Sequence, residues 1–150
     1  MKDTAKLAEQ YDVRLHTHLA ETIDEENFCL EKYGLRTVDY LESVGWLSGR
    51  TWLAHGIHFN EQEIKKLGQS KVGICHCPSS NMIAELRQAM YLQRLRYGAS
   101  KITHQHAYDW ASKGSARLLG RGDIGEIATG KQADLALFKL DELRDRKSVV

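Results

Sequence analysis

His18-Leu19-Ala20-Glu21 closes an alternating run, Val13-Arg14-Leu15-His16-Thr17-His18. Side chains alternate along a strand, so Arg14, His16 and His18 share one face and Val13, Leu15 and Thr17 the other. An imidazole followed three residues later by a carboxylate offers a metal ligand and a proton carrier in one place. Metal-assisted hydrolysis needs both, together with an open position for water. The arrangement recurs. Thr51-Trp52-Leu53-Ala54-His55-Gly56 is an apolar run ending in His, and Val72-Gly73-Ile74-Cys75-His76-Cys77-Pro78 is another. Three such runs, separated by helix-like sequence, read as parallel strands aiming polar groups at one rim. Active sites of α/β barrels lie at that rim.

The elements that must position these residues follow from caps and periodicity. Residues 2–10 form a helical pattern with Ala5, Leu7 and Ala8 on one side. Strands are expected at 13–19, 51–57 and 71–76. Thr22-Ile23-Asp24-Glu25 fits a capping box that opens a helix to Tyr33, ended by Gly34. Val38, Leu41 and Val44 mark a short second helix. Asn60-Glu61-Gln62-Glu63 repeats the cap logic, with Gly68 as the expected stop. A β-α-β-α-β order with short connections predicts a parallel sheet. After Asn81 the rhythm breaks. Residues 83–97 read as one long helix, and a further helix runs from Thr103 to Leu119, with no strand between them. Gly120 to Gly130 is loop-like, and Leu135-Ala136-Leu137-Phe138 reads as a short strand.

A lone strand histidine is ordinarily a packed or solvated residue. His-x-His with a nearby Glu at a strand end, echoed by His55 and His76, is what raises a functional reading. His58 falls out of phase and belongs to a loop. His104 and His106 sit at a helix start, where a solvated or capping role is expected. Cys29 is expected in the core. Cys75 and Cys77 are expected opposite His76, packed against helices. Trp46 and Trp52 are expected as core or rim aromatics.

Composition excludes several classes. The formal net charge is +1 with acidic and basic residues intermixed, which gives no electrostatic case for nucleic acid or an anionic membrane surface. Three cysteines are an odd number for a disulfide framework, and the Cys75-His76-Cys77 spacing is not that of a zinc ribbon. No apolar run approaches membrane-spanning length, and no apolar leader follows Met1. A cytoplasmic protein is the expectation. The length allows one domain with a real core, or parts of two.

Three motifs together carry a family resemblance: Leu15-His16-Thr17-His18-Leu19-Ala20-Glu21-Thr22, Trp52-Leu53-Ala54-His55-Gly56-Ile57-His58, and His76-Cys77-Pro78-Ser79-Ser80-Asn81-Met82. The chain resembles the amidohydrolase superfamily, in its aminohydrolase branch of chlorotriazine and hydroxyatrazine hydrolase-like enzymes. Ile124-Gly125-Glu126-Ile127 and Gly130-Lys131-Gln132-Ala133-Asp134-Leu135 resemble the segment that returns such chains to a small β-sandwich. The resemblance implies an α/β fold: a partial (β/α)8 TIM-type barrel over residues 1–119 and a remnant of the β-sandwich domain over 120–150. It implies a metal-dependent hydrolase acting on C–N bonds other than peptide bonds. The expected reaction is deamination of a purine- or triazine-like ring such as 8-oxoguanine, with zinc as the expected divalent metal. By the same resemblance His18 is a metal ligand and Glu21 moves a proton to a ring nitrogen. His55 contacts the reacting water, Ser79, Ser80 and Asn81 form a loop beside the site, and His16 is a candidate to support the ligand from behind. His76 matches a family position without being an expected ligand.

The chain also departs from that pattern. The family's amino-terminal His-x-His, which supplies two ligands, is not here, and neither is the strand ending in a metal-binding Asp, whose place falls between Met82 and Ile83. The expectation is a chain truncated at both ends and internally deleted. One reading is a C–N hydrolase. The alternative is a catalytically inactive, pseudogene-like fragment or half-barrel that lacks most metal ligands. Its unpaired strand edges offer a route to self-association.

Overall fold

The computed structural model describes residues 1–77 and 82–137. Three strands form one parallel sheet in sequence order: β1 (Leu15–Leu19), β2 (Thr51–His55) and β3 (Gly73–Cys75). Leu15 pairs with Thr51, His18 with Ala54 and Leu19 with His55, while Trp52 pairs with Gly73 and Ala54 with Cys75. All three strands are shorter than the sequence pattern suggests. Asp12 (φ +51) and Lys71 (φ +56) are left-handed just before β1 and β3, and such residues interrupt extended backbone.

Four helices cover one sheet face: α1 (Lys2–Gln10), α2 (Ile23–Tyr33), α3 (Thr37–Ser43) and α4 (Glu61–Gln69). The apolar stripes of α1, α3 and α4 meet Leu15, Leu19 and Leu53 in a core that includes Ala8, Val38, Leu41, Val44, Trp46 and Leu67. Leu41, Leu53 and Val38 are fully buried, each side chain contributing about 1.5–3 kcal/mol. Trp46 is the expected core aromatic, and its Nε1 donates to the Met1 carbonyl at 2.9 Å. Cys29 is buried, as expected.

The Thr22 N-cap, the Gly34 stop and the Asn60–Glu63 box form where the sequence predicts them. Thr22 Oγ1 accepts from Glu25 N, and Gly34 ends α2 at φ +68. Asn60 and Glu63 form a reciprocal capping box on α4. α4 does not stop at Gly68 but runs through it to Gln69, and Ser70 is its C-cap.

One ionic hub ties the helix layer together. Arg36 reaches Glu63 through Nε and Nη2, each at 2.9 Å, and Glu26 through Nη1 at 2.5 Å. Both carboxylates are buried, and Glu26 also accepts from the Thr37 backbone and hydroxyl. The hydrogen bonds that Arg36 donates to Glu63 raise the guanidinium pKa further, so Arg36 stays charged.

Residues 82–118 are largely helical. α5 (Met82–Tyr97) follows β3 with no strand among residues 82–100, which agrees with the direct strand-to-helix junction expected there. No residue of α5 is buried, and Leu92 and Leu95 are exposed, so its apolar residues do not enter the core. The predicted helix over 103–119 is not uniform. α6 (His104–Asp109) passes through a π-helical turn (Trp110–Gly114) into α7 (Ser115–Leu118). The His106 ring accepts from Thr103 N at 3.0 Å, the capping role expected of it.

Gly73 shows which face α7 takes. A Cβ there would lie 2.0 Å from Leu118 Cδ2 and 3.3 Å from Trp52 Cβ. Gly73, Trp52 and His16 form one cross-strand row, so Leu118 lies on the sheet face opposite α1–α4. Gly120 sits against Arg14, which has the same parity.

Residues 120–137 attach to this layer through the Lys113–Glu126 ion pair and the Arg121 N–Ala116 O hydrogen bond, and are held together within themselves by the Arg121–Asp123 pair and the Gln132 N–Asp123 O hydrogen bond. The strand expected at 135–138 is not formed at 135–137, where Leu135 and Leu137 are exposed and pair with no neighbour. An isolated strand without an edge to join has nothing to satisfy its backbone. Phe138 lies outside the described residues. No helix of the described residues is long and apolar enough to cross a membrane.

Candidate active site

β1 and β2 end side by side, and their exits are stitched together. Leu19 O accepts from Gly56 N at 3.0 Å, and Ala20 O accepts from Ile57 N at 2.9 Å and His58 N at 3.1 Å. Ala20 is fully buried and left-handed at φ +54, so the chain turns sharply between His18 and Glu21. Glu25 does not reach back to Thr22 N as a standard capping box requires. Its carboxylate instead accepts from Glu21 N at 3.0 Å, which fixes the backbone of Glu21.

His55 reaches this corner by a backbone departure. Its register partner is Leu19, and its parity is that of Thr51 and Leu53, which point into the helix layer. Continued alternation would bury the imidazole there. His55 instead adopts φ +77, an uncommon conformation for a residue with a side chain. Its ring lies 5.0 Å from that of His18, and its Nε2 stands 3.5 Å from Glu21 Oε1. The His55 side chain is 15 % exposed and that of Glu21 47 %. A shielded imidazole thus faces a carboxylate that solvent or a ligand can reach.

His16 stacks on Trp52, with ring centroids 3.6 Å apart, and its Nδ1 lies 3.2 Å from the Trp52 carbonyl oxygen. Its ring is 5.8 Å from His18. Trp52 is therefore a support beneath the histidines. His58 lies on the loop after β2, where its carbonyl accepts from Arg36, so the ionic hub also braces the exit from His55. Ser79, Ser80 and Asn81 lie outside the described residues.

The expectation for the β3 cysteines is corrected. Cys75 pairs with Ala54 and so shares the row of His18, on the sheet face away from α1–α4. Cys75 is partly exposed and Cys77 exposed, and their sulfurs are 3.8 Å apart. Cys75 thus faces the α5–α7 side, while Cys77 lies beyond the end of β3, where alternation no longer places it. Burial pushes the Cys75 thiol up, and the neighbouring Cys77 adds to the shift.

A cavity of about 900 Å³ opens between β3 and the α5–α7 layer, with His55, Cys75, Cys77, Leu86, Trp110 and Leu118 on its walls. His55 is shared by this cavity and the Glu21 corner. The volume lies in the range of small-molecule sites.

Catalytic zinc takes three protein donors with a position left for water. Among the described residues no three His, Cys, Asp or Glu side chains converge on one point. His18 and His55 with Glu21 do not complete such a shell, so the donor set does not fit a resident metal.

Sequence reasoning found His18, Glu21 and His55 and the edge they share. It missed Glu25 as the anchor of Glu21, although the Thr22-x-x-Glu25 spacing was its signal. It also missed the backbone turn at His55, for which the following Gly56 (φ +72) was the available hint.

Comparison with known proteins identifies the family and the fold. The model of the "Amidohydrolase family" matches residues 1–88 and again 79–150. An 8-oxoguanine deaminase of Pseudomonas aeruginosa is 59 % identical over 178 aligned positions, covering 96 % of this chain and 40 % of that protein. A 5-methylthioadenosine/S-adenosylhomocysteine deaminase of Desulfitobacterium hafniense is 30 % identical, covering 90 % of this chain and 39 % of that protein. Among solved structures, a zinc-bound adenosine deaminase of Xanthomonas campestris superposes with a TM-score of 0.80 at 27 % identity, over 89 % of this chain and 38 % of that one. The zinc complex of atrazine chlorohydrolase from Arthrobacter aurescens gives 0.75 at 27 % identity, over 86 % and 36 %. The chain thus spans about 40 % of the length of the curated relatives it matches. The 178 aligned positions exceed the 150 residues of the whole chain, so residues present in the P. aeruginosa protein are missing here. The two family matches meet at 79–88, immediately after β3.

Proposed function

The chain belongs to the amidohydrolase family, and on that premise we propose that it carries one part of a deaminase site, silent by itself, for the C–N bond of a purine-like ring such as 8-oxoguanine. Glu21 is the proton carrier. It protonates a ring nitrogen while water adds to the adjacent carbon, and it takes up the proton that the water releases. It then passes that proton to the exocyclic amino group, the C–N bond breaks, ammonia leaves, and the new hydroxyl returns its proton to Glu21 as the carbonyl forms. His55 holds Glu21 and the reacting water in register. His18 is the imidazole that a complete fold would direct at a divalent metal, zinc by analogy with the zinc-bound neighbours. His16, braced on Trp52, supports it. Ser79, Ser80 and Asn81 border the ring. In this reading residues 1–119 are barrel and 120–150 derive from the β-sandwich.

The observation that carries the reading is Glu21 Oε1 at 3.5 Å from His55 Nε2, with the His18 ring 5.0 Å from that of His55. The lack of any three convergent donors among the described residues supports silence in the isolated chain.

The test has two arms. The purified chain with added Zn²⁺ is expected to release ammonia from 8-oxoguanine at the background rate. A chimera in which the P. aeruginosa deaminase supplies the segments missing here is expected to turn over, and Glu21→Gln in that chimera to slow it by about 10²–10⁴-fold. Turnover by the isolated chain would refute silence. A folded, zinc-loaded chimera without activity would refute the assigned roles.

A further inference from the structure

We propose that Cys75 and Cys77 form a two-thiolate site for a soft, thiophilic cation of the monovalent copper class, at the end of β3. Cys75 ends β3 and Cys77 lies two residues on, where the chain leaving the strand brings the second sulfur back beside the first. The sulfurs lie 3.8 Å apart. That is far longer than the ~2.05 Å of a disulfide, and both thiols are free. A cation can sit between them without the sulfurs first closing to bonding distance.

Their present partners are weak. Cys77 Sγ donates to Cys75 O at 3.4 Å and Cys75 Sγ to His76 O at 3.8 Å. Thiols are poor donors, so exchanging these contacts for metal–sulfur bonds gives up little. The pair is also reachable, since Cys77 is exposed and both residues line the cavity beside β3.

Donor number selects the ion. A borderline divalent ion such as zinc takes about four ligands. Among the described residues no third His, Cys, Asp or Glu joins this pair. Soft thiolates favour monovalent copper, which the sulfur donors suit by type. Binding forms two sulfur–copper bonds and breaks two S–H bonds. Two protons are released and no oxidation state changes.

The reduced full-length chain, held under anaerobic conditions, is titrated with Cu(I) presented as its bathocuproine disulfonate complex. One Cu(I) per chain is expected to leave the chelator, with about two protons released per ion by indicator dye. Cys75→Ser and Cys77→Ser are each expected to abolish transfer, and Cys29→Ser to leave it intact. No uptake by the wild-type chain, or uptake retained when both β3 cysteines are serine, would overturn the site. Uptake without proton release would do so on the unaltered protein, whatever the variants' folding. Displacement of the bound copper by equimolar Zn²⁺ would overturn the assignment of a soft ion.

Discussion

Glu21 and His55 meet at 3.5 Å only because His55 leaves the strand conformation that its neighbours keep. A side chain at φ +77 costs about 1–2 kcal/mol relative to ordinary backbone. The carbonyl–amide stitch between the β1 and β2 exits holds it there. His55→Gly is therefore expected to be more stable than His55→Ala by about 1 kcal/mol in urea unfolding. Equal stability of the two variants would show that the corner stores no strain.

Among the described residues, Arg36 is the cation shared by Glu26 and Glu63, whose side chains are each 4 % exposed. Removing it leaves two buried carboxylates uncompensated. Arg36→Ala is expected to cost about 3 kcal/mol, the lower end for a broken buried pair because the arginine is itself a third exposed. The urea midpoint measures it, and a loss below about 1 kcal/mol would place the strength of the helix layer elsewhere.

Gly73 has no room for a methyl group under Leu118. Gly73→Ala is expected to cost about 1–3 kcal/mol through overpacking. Leu118→Ala in the same chain is expected to recover most of that loss, since the two residues share one contact. A double variant no better than Gly73→Ala would contradict the packing of α7 on this face.

Lys66 on α4 stands 2.7 Å from Asp39 and 2.8 Å from Glu42 on or beside α3. Hydrogen bonds to Asp39 and then Glu42 raise its pKa well above the usual lysine value. A raised folded pKa gives stability that is complete below the unfolded value, about 10.4, and lost as pH rises through the folded one. The Lys66→Met variant is thus expected to unfold at lower urea than the parent near neutral pH. The gap should narrow in high salt, because the pair is partly exposed, and narrow again above about pH 10.4. A gap that widens with alkali would reverse the assignment.

The helix caps, the three parallel strands and the His18–Glu21–His55 corner were legible because each rests on short-range rules. Thr22, Gly34 and Asn60 announce themselves by type, and the strand histidines by alternation. What was not legible depends on contacts between distant residues. The parity of His55 gives the wrong face unless its left-handed turn is known. The exposed apolar side of α5 and the unformed strand at 135–137 reflect missing neighbours, and local sequence does not report those. Cys77 was misplaced because alternation was extended past the strand's last residue, Cys75.

Leu118 on Gly73 also fixes the terms on which further strands could ever join this sheet. The face it covers is the one that a closed barrel fills with its own interior layers of side chains. A complementing segment therefore meets an occupied site, and α7 must lift away before the ring can close. Association then becomes an exchange. At high concentrations of the incoming segment its rate should stop rising and settle at the opening rate of α7, as for any local unfolding that precedes capture.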